Sequence, residues 1–224
     1  MTERKNIRIL FYIAAMFFIL CIPFFLLTSN IRWVANDIHL YKDSFAKYDV
    51  SHDTGFSNEE LINISKGLIE YFNSGSINDT MNIFSEAEML HLRDVRGLIQ
   101  LCYILQWITL GYVIVYSTAG FIYKRKQFFH LFNMIVAVGS IVSIIGIAAI
   151  GIAALIDFNW LFVAFHRVFF SNDLWISSGY LPRIYTEGFF SDAGKIIIIE
   201  TTVESILIGV TAGFFILLRK RVVN

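Results

Sequence analysis

Of the 224 residues, 56% are hydrophobic and only 16% are charged, and the mean hydropathy is +0.62, a composition too apolar for a water-soluble domain. Eighteen lysines and arginines balance 18 aspartates and glutamates, with no basic domain or stripe, which excludes a nucleic-acid partner. Cys21 and Cys102, the two cysteines, both fall in apolar stretches, so neither a disulfide framework nor a thiolate metal site is expected.

The pattern predicts an all-α integral membrane protein, a single membrane domain over 1–224 with four transmembrane helices at about 9–28, 98–123, 131–156 and 198–218. Each stretch is apolar over the ~20 residues that a helix needs to cross ~30 Å of hydrocarbon. Three basic clusters flank them: Arg4, Lys5 and Arg8; Lys124, Arg125 and Lys126; Arg219, Lys220 and Arg221. One topology puts all three in the cytoplasm, with both termini inside and the segments 29–97 and 157–197 outside. The first span follows basic residues as a signal peptide would. It is longer than an h-region and no A-x-A site follows, so it is expected to be retained.

The first outer segment reads as helical. In "FSNEELINISKGLIEYF", Ser57 and Glu60 form a capping box, and Leu61, Ile64, Leu68 and Phe72 share one face before the "NSGS" breaker. A second capping box, Ser85 with Glu88, opens a helix that nothing interrupts before the second span. On it Glu88, His91 and Asp94 recur at helical spacing and share a face. A carboxylate beside a histidine fixes its tautomer and raises its basicity, as a general base requires. A solvated face whose carboxylates pair with Arg93 and Arg96 is the plainer reading of the same spacing.

The second outer segment holds "FNWLFVAFHRVFFSNDLW", residues 158–175. As a helix it lines up Phe158, Phe162, Phe165 and Phe169, with His166 and Arg167 beside that stripe. It is too short to span and is expected to lie in the interface. An aromatic belt accounts for the phenylalanines but not for a histidine and an arginine among them, since polar groups at that depth are costly unless they face a cavity or each other. His39, His52 and His130 are expected to be incidental. In the fourth span Glu200 and Glu204 share a face, as functional carboxylates or as anchors, with Arg167 or Arg183 as an expected partner.

"ExxHLxDV" from Glu88 to Val95, running into a span, and "FHRVFFSNDLW" from Phe165 to Trp175, in a four-span chain of this length, resemble the lipoprotein intramolecular transacylases of Gram-positive bacteria. The resemblance implies a multi-pass enzyme of the bacterial plasma membrane, with its active site at the outer leaflet. Its substrate would be a lipoprotein whose N-terminal cysteine carries a diacylglyceryl thioether. The sn-2 acyl chain would move to that cysteine's α-amino group, leaving the lyso form. No cofactor and no metal are implied, and the partners are the lipoprotein and membrane lipid around a monomer. Within that chemistry His91 and His166 would form an acid and base pair. Glu88 or Asp94 would orient His91, Arg167 would steady the oxyanion, and Asn172 and Asp173 would support the site. Phe162, Phe165, Phe169, Phe170 and Trp175 would line the acyl groove. No G-x-S-x-G nucleophile motif is present, and the acceptor amine makes one unnecessary.

The alternative from another class is a non-enzymatic accessory or sensor protein that binds a partner through the amphipathic helix at 58–72. A transporter fits less well, because the spans carry few polar residues and no broken-helix pair. A two-histidine metal hydrolase lacks H-x-x-x-H or H-E-x-x-H spacing.

Overall fold

The computed structural model describes residues 2–223, with side chains described over 9–219. The side chains of Arg4, Lys5, Arg8, Lys220 and Arg221 in the basic clusters therefore lie outside the described residues. Among those described, every regular element is helical: α1 Thr2–Asn36, α2 Ile38–Lys47, α3 Val50–Thr54, α4 Asn58–Ser74, a 3₁₀ turn Asp79–Ile83, α5 Glu86–Lys124, α6 Lys126–Ile156, α7 Phe158–Phe169, α8 Tyr180–Ile184 and α9 Glu187–Val223.

Four helices are long and apolar enough to cross a membrane, over Ile9–Asn36, Glu86–Lys124, Lys126–Ile156 and Glu187–Arg219. They contain the four expected spans and overrun them. The 39 residues of α5, at about 1.5 Å each, make roughly 58 Å of helix, nearly twice the ~30 Å of hydrocarbon. A hydropathy window sees only the lipid-length part of such a helix. Its beginning is set instead by the Ser85 cap.

The chain divides into two compact units. The first comprises Met1–Asn30, Ile104–Ile150 and Ile198–Asn224. Phe18, Ile22 and Leu26 of α1 pack there with Tyr116 of α5 and with Phe128 and Ile135 of α6. Leu10, Met16 and Val115 are exposed on α1 and α5, and Leu207 on α9. Helices apolar all round need an apolar solvent. Pro23 lies inside α1, and having no N–H it leaves the Ile19 carbonyl without its helical donor. Gly139 of α6 sits against that carbonyl, where a Cβ would come within 3.1 Å of the oxygen and collide with Ile22. The Asn30 amide donates to Thr201 Oγ1 at 3.1 Å and to Glu204 Oε2 at 2.8 Å. Glu204 is thus an anchor between α1 and α9, held by an amide rather than by the expected arginine.

The second unit comprises Ile31–Tyr103 and Gly151–Ile197. Its core gathers Phe45, Val50, Leu61, Ile64, Leu68, Met81, Leu92 and Ile184. The expected face of α4 is buried in this core, so the chain itself covers the surface that the accessory reading needed. Ser57 and Glu60 form the reciprocal capping box that starts α4, and Gly75 ends it at φ 83, a conformation that suits glycine. Side chains of α5 satisfy the last carbonyls: Arg96 Nε donates to Tyr71 O at 2.9 Å, and Gln100 Nε2 donates to Phe72 O at 2.7 Å.

Gly139→Val should cost about 1–3 kcal/mol, the usual penalty for overpacking, read as a lower unfolding temperature in detergent. An unchanged midpoint would mean that α1 and α6 separate freely at this contact.

Candidate active site

The site lies in the second unit and begins with the cap of α5. Ser85 N–H and Oγ donate to Glu88 Oε2 at 2.9 and 3.0 Å, and Glu88 N–H donates back to Ser85 Oγ at 3.3 Å. The other carboxylate oxygen, Oε1, accepts from Ser177 Oγ at 3.0 Å and from the Leu181 N–H at 2.8 Å. Glu88 is only 1% exposed, and these bonds satisfy a charge that burial would otherwise make very costly. Its role therefore differs from the expectation. It does not touch His91 but fastens segment 177–181 onto α5. Gly179 packs directly on the Glu88 carboxylate, leaving no room for a Cβ.

His91 follows one turn after Glu88 and is buried. The aromatic segment delivers His166. Asp157 caps α7 by accepting the Trp160 N–H at 2.9 Å, and α7 buries His166 and half-buries Phe162 while Phe165 and Phe169 are exposed. The two imidazoles lie 5.9 Å apart between centroids, with their planes 32° apart. Phe170 stands edge-on to His91 at 5.0 Å and 5.5 Å from His166. Trp175 and Phe162 close on His166 at 4.8 and 4.2 Å.

His166 Nδ1 is 2.8 Å from the Phe162 carbonyl oxygen. A carbonyl only accepts, so in the neutral ring Nδ1 carries the proton and Nε2 keeps the lone pair. Burial pushes the His166 pKa below its ordinary 6.5, and the bond to the Phe162 carbonyl opposes that shift. His91 Nδ1 is buried without a hydrogen-bond partner. With like groups this close, a proton on one ring disfavours a second on the other.

The remaining expected residues divide. Asp94 accepts from Asn172 Nδ2 at 2.9 Å. Neither Arg93 nor Arg96 pairs with a carboxylate among the described residues, and Arg96 is committed to α4. Among the described residues Arg167 is exposed, with no hydrogen bond or ion pair, and the Asp173 side chain is also exposed. Phe169 and Phe170 line a groove of about 440 Å³ with residues of α5 and the 171–172 turn, whereas Phe162, Phe165 and Trp175 do not. His39 and His52 are exposed and apart from this cluster. The contribution of Ser177 and Gly179 was not foreseen. The only hint in the sequence is the turn-forming "SSG".

A family model described as lipoprotein intramolecular transacylase Lit matches residues 16–190. The chain belongs to this family. Solved structures agree in fold. The membrane-integral lipoprotein intramolecular transacylase Lit from Bacillus cereus is 20% identical, with a TM-score of 0.82 over 95% of this chain and 98% of that one. Variants of the same protein with a histidine changed to arginine or to alanine give TM-scores of 0.78 and 0.79, at 19% and 18% identity. Those alignments cover 99% and 98% of this chain and 100% and 99% of theirs. No curated protein matches the sequence. As a Lit family member with four membrane-crossing helices, the chain is a multi-pass integral membrane protein.

Gly179→Ala should displace segment 177–181 from Glu88, and Glu88→Ala should remove the attachment altogether. Each should cost about 1–3 kcal/mol, the penalty for unsatisfied buried polar groups, and should make the 171–181 turn an early site of limited proteolysis. Cleavage elsewhere first would argue against the carboxylate as the fastening point.

Proposed function

We propose that the chain moves the sn-2 acyl chain of an S-diacylglyceryl cysteine onto that cysteine's α-amino group, giving the N-acyl, S-monoacylglyceryl lipoprotein. The observation that carries this reading is the pair of buried imidazoles 5.9 Å apart in an aromatic enclosure. An α-amino group has a pKa near 8, so its attack on an ester needs a base. His166 offers an Nε2 lone pair with its tautomer set from behind by Phe162. His91 has the complementary state. Because its Nδ1 is buried without an acceptor, a proton there would be stranded, and the neutral ring carries its proton on Nε2.

The step then balances. The amine nitrogen attacks the ester carbonyl carbon as His166 takes its proton. The tetrahedral intermediate expels the glycerol oxygen, which takes a proton from His91 only as His91 takes up the one that His166 gained, so that no imidazolate forms and both rings end neutral. Arg167, exposed and with no hydrogen bond or ion pair among the described residues, is a cation for the oxyanion. Both reacting groups arrive on one molecule, so much of the entropic cost of bringing them together is already met. The three basic clusters support cytoplasmic termini and a site at the outer leaflet, where the lipid anchor of such a substrate lies.

Expression in a bacterial strain lacking N-terminal lipoprotein acylation should shift one acyl group from glycerol to the amine at constant mass, read by mass spectrometry of the N-terminal cysteine. His91→Ala and His166→Ala should each lower the rate at least ~100-fold, the usual contribution of acid–base catalysis. Persistence of the diacylglyceryl form despite good expression of the parent chain would refute the reaction.

The pH profile follows from the burial of His166. A base acts deprotonated, and a pKa held below 6.5 keeps the ring neutral at and above that pH. The logarithm of kcat/KM should fall with unit slope as the amine protonates below about pH 8. It should steepen to a slope of two only below 6.5. A second break above 6.5 would remove His166 as the base.

A further inference from the structure

The groove of about 440 Å³ beside the histidine pair has a polar end, at Arg93, Asp94 and Asn172, and an apolar end, at Leu98, Leu101 and Phe170. Phe170 is the shared wall, since the same ring stands against both imidazoles. An occupant would therefore lie one aromatic ring away from the acid and base.

Asp94 is the unusual member of this lining. Its only hydrogen bond among the described residues is the one from Asn172 Nδ2 to Oδ2, at 2.9 Å. No cation pairs with it among the described residues, although Arg93 precedes it and Arg96 follows two residues later. Arg96 is spent on the Tyr71 carbonyl. Asn172 is itself fixed, because its Oδ1 accepts the Leu174 N–H at 3.1 Å. The amide thus steadies one carboxylate oxygen and leaves Oδ1 without a hydrogen bond among the described residues.

We infer that Asp94 docks the α-amino group of the substrate in its ammonium form, with Asn172 setting the carboxylate's orientation and the apolar end of the groove taking an attached hydrocarbon chain. The inference rests on the transacylase reading proposed above. Asp94 offers a primary ammonium its counter-charge beside Arg93 of the same lining, and Leu98 and Leu101 offer its acyl chains an apolar surface. Docking captures the ammonium form that predominates at neutral pH; the amine gives that proton to water before it attacks, and His166 takes the second proton as the C–N bond forms. Asp94 is in this view a substrate-binding residue and not the orienter of His91.

The test uses an inert diether analogue of the diacylglyceryl cysteinyl peptide, which cannot transfer an acyl group, prepared with a free α-amine and with an N-acetylated one. Binding to the purified full-length chain is measured at pH 7 in nanodiscs free of aminophospholipid. The parent chain should prefer the free amine about tenfold, the worth of one charge-assisted hydrogen bond. Asp94→Asn should bind the two analogues alike while keeping the affinity for the acetylated one, which also shows that the variant is folded. Asn172→Ala keeps the charge and loses the clamp, so its preference should shrink without vanishing. Undiminished preference in Asp94→Asn overturns the inference. So does displacement of the free-amine probe by phosphatidylethanolamine at equal potency, which would make the groove a site for bulk lipid. Turnover of the ester substrate is followed in parallel. A parent chain that shows the amine preference but no acyl transfer would sink the reaction and leave the docking role intact.

Discussion

A buried carboxylate holds this site together. Glu88 is nearly inaccessible, and it receives donors from its own helix start and from a segment about 90 residues further along the chain. An ionised carboxylate in such a place is stable only when its lone pairs are filled, and losing any donor leaves a charge that water cannot reach. The arrangement is consequently close to all-or-none. Either segment 177–181 is seated on α5, or the carboxylate must find water. Seating it fixes the stretch that precedes it, including Trp175 against His166 and Asn172 on Asp94. The pairing of two histidines 75 positions apart in the chain thus depends on an interaction that neither of them makes.

The aromatic enclosure then decides what the imidazoles can be. Rings of Phe162, Phe170 and Trp175 offer no acceptors to an imidazolium, and burial favours the neutral form. A buried carboxylate in the same box would be pushed toward its protonated acid and lose its value as a base. Histidine is the side chain that stays neutral there and still takes a proton. The cost is that each ring nitrogen must be accounted for. The enclosure supplies one backbone carbonyl, from Phe162, within the same helix.

Much of this was legible in the sequence because it is local. The Ser57–Glu60 and Ser85–Glu88 capping boxes are written in four-residue patterns, and both are present. The apolar runs mark the four membrane-crossing helices, and the inward face of α4 follows from its period. Spacing placed Glu88, His91 and Asp94 on one face, and the histidines were singled out because a belt of aromatics has no use for them. What spacing could not say is which distant group meets each residue. Glu88 and Asp94 were read as orienters of His91, yet their partners arrive from Ser177, Leu181 and Asn172. Glu204 was given an arginine and has Asn30. Hydropathy likewise could not find the ends of α1, α5 and α9, since helix continues past the lipid wherever capping and packing sustain it.

The two histidines differ in what lies behind their rings, and that difference bears on the chemistry. His166 has an acceptor at Nδ1, and His91 has nothing there. A stranded N–H in an apolar wall forfeits a hydrogen bond that water would have given it, at about 1–3 kcal/mol. A bare lone pair in the same wall is the more tolerable exception, since orphaned acceptors are less rare in proteins than orphaned N–H groups. The packing therefore biases His91 toward the Nε2–H tautomer and His166 toward the Nδ1–H tautomer. One ring is prepared to give a proton and the other to take one before any substrate arrives. In the proposed reaction the proton that His166 gains is passed on, and the neutral form that burial favours is restored at both rings.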